Sequence, residues 1–475
     1  MGNIDKDQPE NNIPKRAAFF LILLPLIYAA FYRSNNISSS LHLWKNQISN
    51  WSGGWSSNGG VTREDVHGDS ISLLVQRLVR GRNRIELDVT GFSCDTAFYS
   101  DVCVSKDPVR IDMNSMTVYL SPNWSLPSVT RTVRPYARKF DNMTMGIISK
   151  VEVLRGAENK SLPLCDVTHT VPAVIFSTGG FSGNLFHEFN EVIIPLFLTT
   201  YHFRSQLQFI IVDHLSWWVS KYNRILSHLS NRNVINPLDD GKVHCFPGAV
   251  MGLKYHNNLA CNTSEIPGGY SMIDFKTFLR HSYSLHIKNE REIEKPVLVL
   301  VSRKHSRVFL NEHEIVTLAT ELGFQVITAT PNQMSNLQRF ASVMNSCSVL
   351  LGVHGAGLSN AVFLPEGAVV LQVVPLGLEW ASTVYYAYTV GDMGLHYLEY
   401  KINPEESSLF EKYGPDNPVI TDPASIRDQG YSVERAVYID GQNIKIDLSR
   451  FKETLVQALT LTGRSEVLKQ GKKES

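Results

Sequence analysis

His187 and Glu191 stand four residues apart in Phe186-His187-Glu188-Phe189-Asn190-Glu191, a spacing that on a helix puts imidazole and carboxylate one turn apart on the same face. Such a carboxylate can take a proton from a hydroxyl as general base, with the histidine orienting it or touching the ligand. Glu188 projects elsewhere. A second group of residues suits an anion: Arg303 and Arg307 follow the apolar run 297–301, and His354-Gly355-Ala356-Gly357 follows the apolar run 349–353. Glycines at a strand-to-helix turn let backbone N–H groups and the positive end of a helix dipole approach a phosphate closely. Glu379, past the next strand, is placed to accept hydrogen bonds from a ribose or sugar hydroxyl, while Asp213 and His214 read more readily as loop or cap residues. Plainer readings stay open for each: an ordinary ion pair on a solvated helix, a turn that only packs tightly, a surface acid.

An alternation of strands and helices positions these groups. The pattern predicts strands over 297–301, 324–328, 349–353 and 368–374. Helices separate them, over 311–322 between Asn311 and Gly323 and over 333–346, with a further helix from Leu358. Four strands spaced by helices indicate a parallel doubly wound sheet, where ligands bind beyond the carboxyl ends of the strands. Upstream, strands over 173–177, 207–212 and 243–246 alternate with helices over 185–204, 215–229 and 272–285, and Pro195 should kink or divide the first helix. Two such halves, joined near the charged stretch 288–295, would face each other across a cleft, a common ligand site.

The chain has 475 residues, more than one comfortable domain. Forty-five basic and 45 acidic side chains cancel and no basic cluster dominates, so nucleic acid is not an expected partner. Residues 17–32 form an uncharged apolar run flanked by Lys15, Arg16 and Arg33. A cleaved signal peptide competes with a membrane anchor, and the anchor is preferred for want of a clear cleavage site. The expected organisation is a cytosolic tail (1–16), an anchor (17–32) and a Ser-, Asn- and Gly-rich stem (33–85). An N-terminal acceptor-side domain (86–290), a nucleotide-sugar domain (291–400) and a C-terminal segment with tail (401–475) follow. Asn36, Asn50, Asn123, Asn142, Asn159 and Asn262 head glycosylation sequons, with Asn36 too near the membrane to be modified. Six cysteines permit disulfides; Cys245 with Cys261 is the favoured local pair, and Cys347 fits a buried thiol equally well.

Three stretches carry a resemblance: Phe176-Ser-Thr-Gly-Gly-Phe-Ser-Gly-Asn-Leu-Phe-His187-Glu-Phe-Asn-Glu191, Ser302-Arg303 with Arg307, and Val353-His-Gly-Ala-Gly-Leu-Ser-Asn-Ala-Val-Phe-Leu-Pro365. Together they resemble glycosyltransferase family 61. The stretches Pro135–Lys139, Met393–Tyr400 and Glu405–Leu409 are similar to its plant branch, which includes Golgi xylan arabinosyltransferases and xylosyltransferases. The resemblance implies an α/β GT-B fold of two Rossmann-like domains and a type II Golgi membrane protein with a luminal catalytic domain. It implies an inverting transfer of a pentose from UDP-arabinofuranose or UDP-xylose to xylan, with room for complexes with other Golgi enzymes. Carried over by position, it makes Glu191 the base with His187 beside it, and gives the diphosphate to Arg303, Arg307, His354 and the turn Gly355-Ala356-Gly357. Many relatives have Asp in this pattern, so Glu188 and Glu191 are departures. No cofactor is expected. No Asp-x-Asp occurs outside Asp5-Lys6-Asp7, so metal-independent transfer is expected too. The competing classes are a protein O-linked N-acetylglucosaminyltransferase of the same family, a catalytically silent scaffold, and a hydrolase that would need a second acid opposite Glu191.

Overall fold

The structure, a computed structural model, describes residues 70–97, 99–122, 125–156 and 162–464. The described residues form one compact unit. Its C-terminal half rests on five strands in the spatial order Gln325–Ala329, Val297–Val301, Val349–Val353, Val369–Val374 and His396–Lys401, all parallel. Numbered along the chain this is the order 2-1-3-4-5, whose crossover point lies between Val297–Val301 and Val349–Val353. Alternate residues of the central strands feed two faces. Leu298, Leu300, Leu351 and Leu371 pack under Ile315, Phe451, Leu455 and Leu459, and Val299, Val301 and Leu350 pack under Phe340, Met344 and Leu358. Burial on both faces explains why these strands are continuous apolar runs.

The N-terminal half contains two sheets. Five strands lie in the order Phe92–Thr96, Asp101–Ser105, Ala249–Met251, Ala173–Ser177 and Gln208–Val212, the last three mutually parallel. A six-stranded sheet, ordered Val129–Val133, Val151–Arg155, Thr117–Leu120, Val109–Asp112, Val243–Phe246 and Val167–Thr168, covers one face of the first. Ala173 and Ile175 point toward it, whereas Val174 and Phe176 point into the core beneath the cleft. That core continues through Trp218 and Phe363 to Val299, so the two halves share one apolar interior. Helix Ser216–Leu229 joins it through Trp218, Tyr222, Ile225, Leu226 and Leu229, a stripe at helical spacing.

The fold expected from sequence is corrected on two counts. Among the described residues no helix is long and apolar enough to cross a membrane, and the run 17–32 lies outside them. The anchored type II Golgi topology is corrected likewise, since no described helix supports it. Second, the N-terminal half is not a simple Rossmann-like unit: Val243–Phe246 pairs antiparallel with Val109–Asp112 in the second sheet. The strands between Phe92 and Arg155 escape pattern reading because they are only four or five residues long and polar residues interrupt their apolar runs. What stands is an α/β protein with two sheet-containing domains.

Smaller expectations also change. Residues 70–85 do not belong to a stem, because helix Ile71–Gln76 and the turn after it bury Val75, Leu78 and Val79 in the core. The C-terminal segment packs on the half expected to hold the nucleotide, with helix Leu448–Leu461 covering the C-terminal sheet. The helix expected over 333–346 is two, Pro331–Ser335 and Leu337–Asn345, with Asn336 capping the second through Arg339 N at 3.0 Å. Disulfides join Cys94 to Cys103 and Cys165 to Cys245, leaving Cys261 and buried Cys347 free; strand pairing, not sequence proximity, brings Cys94 opposite Cys103. Of the sequons, Asn142 and Asn262 are exposed, whereas Asn36, Asn50, Asn123 and Asn159 lie outside the described residues.

The Cys165–Cys245 bond spans 80 positions. Closing so long a loop restricts the unfolded chain, so Cys165→Ser is expected to lower stability by about 2–4 kcal/mol. Urea unfolding of wild type and variant at matched pH reads the effect; an unmoved midpoint would contradict it.

Candidate active site

The helical segment Leu185–Thr200 is not regular. Pro195 has no N–H and its ring opposes the carbonyl four residues back, that of Glu191. The chain widens to a π-turn over Glu188–Ile193, with Ile194 N–H reaching Phe189 O. Single π-turns concentrate at functional sites, and this one carries both acidic residues. Two more lie at Thr383–Ala387 and Arg435–Ile439.

Glu191 is 1 % exposed. Its Oε1 accepts from Arg138 Nη1 at 2.6 Å and lies 2.5 Å from His187 Nδ1; its Oε2 accepts from the Tyr136 hydroxyl at 2.5 Å. Burial alone would raise its pKa. The His187 hydrogen bond and the charges of His187 and Arg138 outweigh that, so the carboxyl is held below its ordinary value. Burial and the adjacent Glu191 charge push the Tyr136 hydroxyl up, so it stays a neutral donor. Gly180, at φ +70°, makes room for Tyr136, since a Cβ there would lie 2.6 Å from the ring. Glu188 is equally buried but occupied elsewhere, by Lys221 at 2.5 Å, the Tyr222 hydroxyl at 2.6 Å and Gly183 N at 3.1 Å.

With Nδ1 on the carboxylate, the other nitrogen of His187 is left for a ligand. The ring stacks on Phe181 at 4.4 Å, and Phe181 and Phe140 both lie beneath the Arg138 guanidinium. Sequence reasoning gave Tyr136 and Arg138 no role in the site. Their only signal was membership of the family-like stretch Pro135–Lys139. Asp213, at φ +53°, is a structural pin: its carboxylate accepts from Ser149 N at 3.0 Å and Ser177 Oγ at 2.7 Å, fixing the base of the Gly-rich turn.

The anion-type residues meet at the crossover point of the C-terminal sheet. Arg307 is 8 % exposed and donates from Nη1 to His354 O at 2.8 Å, while its Nε is buried without a partner. Arg303 donates from Nε to Ser306 O at 2.8 Å. A Cβ on Gly355 would lie 2.8 Å from Arg303 Nη1 and 3.3 Å from Arg307 Nη1, so both guanidiniums crowd this one glycine, at φ +151°. Neither has a carboxylate in ion-pair range among the described residues. Burial, then the neighbouring Arg303, lowers Arg307 to about 10. Burial and the charge of Arg307 lower His354 to about 3, so it is a neutral ring with its Nδ1 unpartnered. Ala356 and Gly357 open a 3-10 helix, Ala356–Phe363, in place of the expected regular helix, since Leu358 N already closes on Gly355 O.

Tyr385 and Tyr386, on the second π-turn, tie the two groups together. The Phe186 ring, next to His187, lies 4.9 Å from Tyr385, which stacks 6.2 Å from His354, and the Tyr386 hydroxyl donates to Gly355 O at 2.9 Å. No sequence signal marked this tyrosine pair. Glu379 is not brought into the cluster: it is exposed at the start of helix Glu379–Ser382 and accepts from Gly377 N at 3.3 Å.

Comparison with known proteins identifies the family. Residues 181–371 match the family described as Glycosyltransferase 61, a span holding His187, Glu191, both arginines and the glycine turn. A xylan glycosyltransferase of Arabidopsis thaliana is 35% identical over 392 residues, covering 77% of this chain and 78% of that protein. The chain belongs to glycosyltransferase family 61. An alpha-1,3-arabinosyltransferase of Oryza sativa subsp. japonica is 39% identical over 374 residues, 77% of this chain and 64% of that relative's own length. A beta-1,2-xylosyltransferase of the same organism is 36% identical over 386 residues, 76% of this chain and 82% of the relative.

Proposed function

We propose that this family 61 protein transfers a pentose, arabinofuranose or xylose, from a UDP-sugar to a xylan-type acceptor with inversion at the anomeric carbon. One observation carries the reading: two guanidiniums without carboxylate partners in ion-pair range, Arg307 buried and Arg303 partly so, converge on Gly355, in the same cleft as an imidazole held by a buried carboxylate. Asp440, whose charge reaches both, lies outside ion-pair range of either and is itself paired with Arg435 at 3.0 Å, so the two adjacent like charges favour a bound anion, and a diphosphate supplies two negative charges. The relatives' names supply the sugar class.

Both oxygens of Glu191 are engaged and its proton affinity is depressed, which suits a carboxylate that orients and stabilises an imidazolium better than one that collects a proton. The base is therefore His187, through Nε2, with Glu191 as its orienting acid. Nε2 takes the proton of the acceptor hydroxyl while that oxygen bonds to C1. The bond from C1 to the UDP oxygen breaks on the opposite face and its electrons pass to the diphosphate. Arg303, Arg307 and the first N–H groups of the turn at Gly355 stabilise the growing charge. Phe181, 38 % exposed, and Trp380, 60 % exposed and 6.3 Å from Tyr385, offer apolar faces for sugar rings at the mouth.

The test supplies xylo-oligosaccharide with UDP-arabinofuranose or UDP-xylose, with and without EDTA, and reads product mass and linkage. One pentose added from one donor, indifferent to EDTA, is the expected result. No transfer from either donor by a folded, UDP-binding protein would replace this reading with a sugar-nucleotide-binding scaffold.

A further inference from the structure

A groove of ≈ 520 Å³ opens between helix Ser216–Leu229 of the N-terminal half and the helix-start residues 335–338 of the C-terminal half. Trp217, 47 % exposed, presents an aromatic face on one wall. Arg224 and Lys221 stand beside it. Lys221 is already paired with Glu188 at 2.5 Å, whereas Arg224 has no carboxylate partner among the described residues. The floor holds Tyr283, 4 % exposed, whose hydroxyl is buried without a hydrogen-bond partner. Leaving such a hydroxyl unmatched costs about 1–3 kcal/mol, so the site favours an occupant that pairs with it. The amides of Asn336 and Gln338 supply polar groups from the opposite half.

An aromatic face, a free guanidinium, an unmatched hydroxyl and side-chain amides match the parts of a sugar ring bearing a carboxylate. We propose that this groove binds a uronic-acid unit of the acceptor polysaccharide, away from the hydroxyl that reacts. The proposal rests on the polysaccharide acceptor assigned above. Tyr283 meets Phe363 edge-on at 5.4 Å, and Phe363 meets Phe189 at 5.7 Å. The groove floor is thereby continuous with the helix carrying Glu191 and with the end of the helix that begins at the glycine turn. A chain seated there is gripped by both halves.

The experiment compares a glucuronic-acid-bearing xylo-oligosaccharide with its neutral counterpart in wild type, Arg224→Gln and Trp217→Ala, by calorimetric binding and by pentose transfer, with UDP affinity as the folding control. Tighter binding of the acidic oligosaccharide by wild type, weakened about tenfold in Arg224→Gln with UDP affinity unchanged, supports the site. Equal binding of the two oligosaccharides, or no response to either substitution, overturns it. Transfer to the neutral oligosaccharide alongside that negative result would leave the transferase reading standing. Acid-selective binding without any transfer would sink the transferase reading and keep the groove.

Discussion

Replacing His187 with Ala is expected to lower kcat by about 10²–10⁴-fold while UDP binds with nearly unchanged affinity. The ring is partly open to the cleft, and its removal leaves the Glu191 ion pair with Arg138 intact, so the fold survives. Glu191→Gln behaves differently. It also slows transfer, but it removes the buried charge that Arg138, Tyr136 and His187 share and leaves Arg138 with Asp141 alone, so stability falls by roughly 1–3 kcal/mol as well. This split separates the roles: a rate loss without a stability loss at 187, and both losses at 191. Wild-type kcat in His187→Ala, with the loss confined to Glu191→Gln, would return the base to Glu191. The pH dependence adds a further check. Folded Glu191 holds its proton more weakly than the unfolded chain does, so its contribution to stability is present above the ordinary carboxyl value near 4.5 and fades as pH falls through the lower folded value. The melting-temperature gap between wild type and Glu191→Gln is therefore expected to close only under strong acidification.

Arg307→Gln is expected to weaken UDP about a hundredfold or more, because its guanidinium is one of two desolvated positive charges at the proposed diphosphate position. The same change relieves the repulsion with Arg303 and removes a buried cation that has no carboxylate in ion-pair range among the described residues, at the loss of a hydrogen bond to His354 O. The ligand-free variant is accordingly expected to melt no lower than wild type. Saturating UDP, at about a hundred times Kd, would raise wild-type stability by about 2.7 kcal/mol and leave the variant nearly unmoved at the same concentration. Thermal melts with and without UDP, together with calorimetric affinities, decide the matter. Affinity within a few-fold of wild type in Arg307→Gln would remove the diphosphate from this position.

The C-terminal half was largely legible because each central strand is buried on both faces and reads as an unbroken apolar run, Val297–Val301 and Val349–Val353 most clearly. The spacing of His187 and Glu191 likewise pointed to a contact that the structure places at 2.5 Å. What escaped was contact between distant segments. Tyr136 and Arg138 reach Glu191 across more than fifty residues of chain. Tyr386 reaches Gly355 from a helix whose turn type nothing local announces. Cys165 finds Cys245 rather than Cys261 because two short strands, Val167–Thr168 and Val243–Phe246, pair in parallel, a fact of topology that spacing does not encode. The membrane-spanning helix expected at 17–32 lies outside the described residues, among which no helix is long and apolar enough to cross a membrane.

The widened turn at Glu188–Ile193 makes chain length, and not only residue identity, a determinant of where the carboxylates point. Each residue advances a regular helix by about 100° of rotation, so deleting one residue between His187 and Pro195 would swing one end of the segment by that angle against the other. Either Glu191 would leave Arg138 and Tyr136, or Phe197 would leave the aromatic cluster it forms with Phe275 and Phe278. A homologue aligned here with a one-residue gap would therefore aim a different side chain into the cleft even if every remaining letter matched.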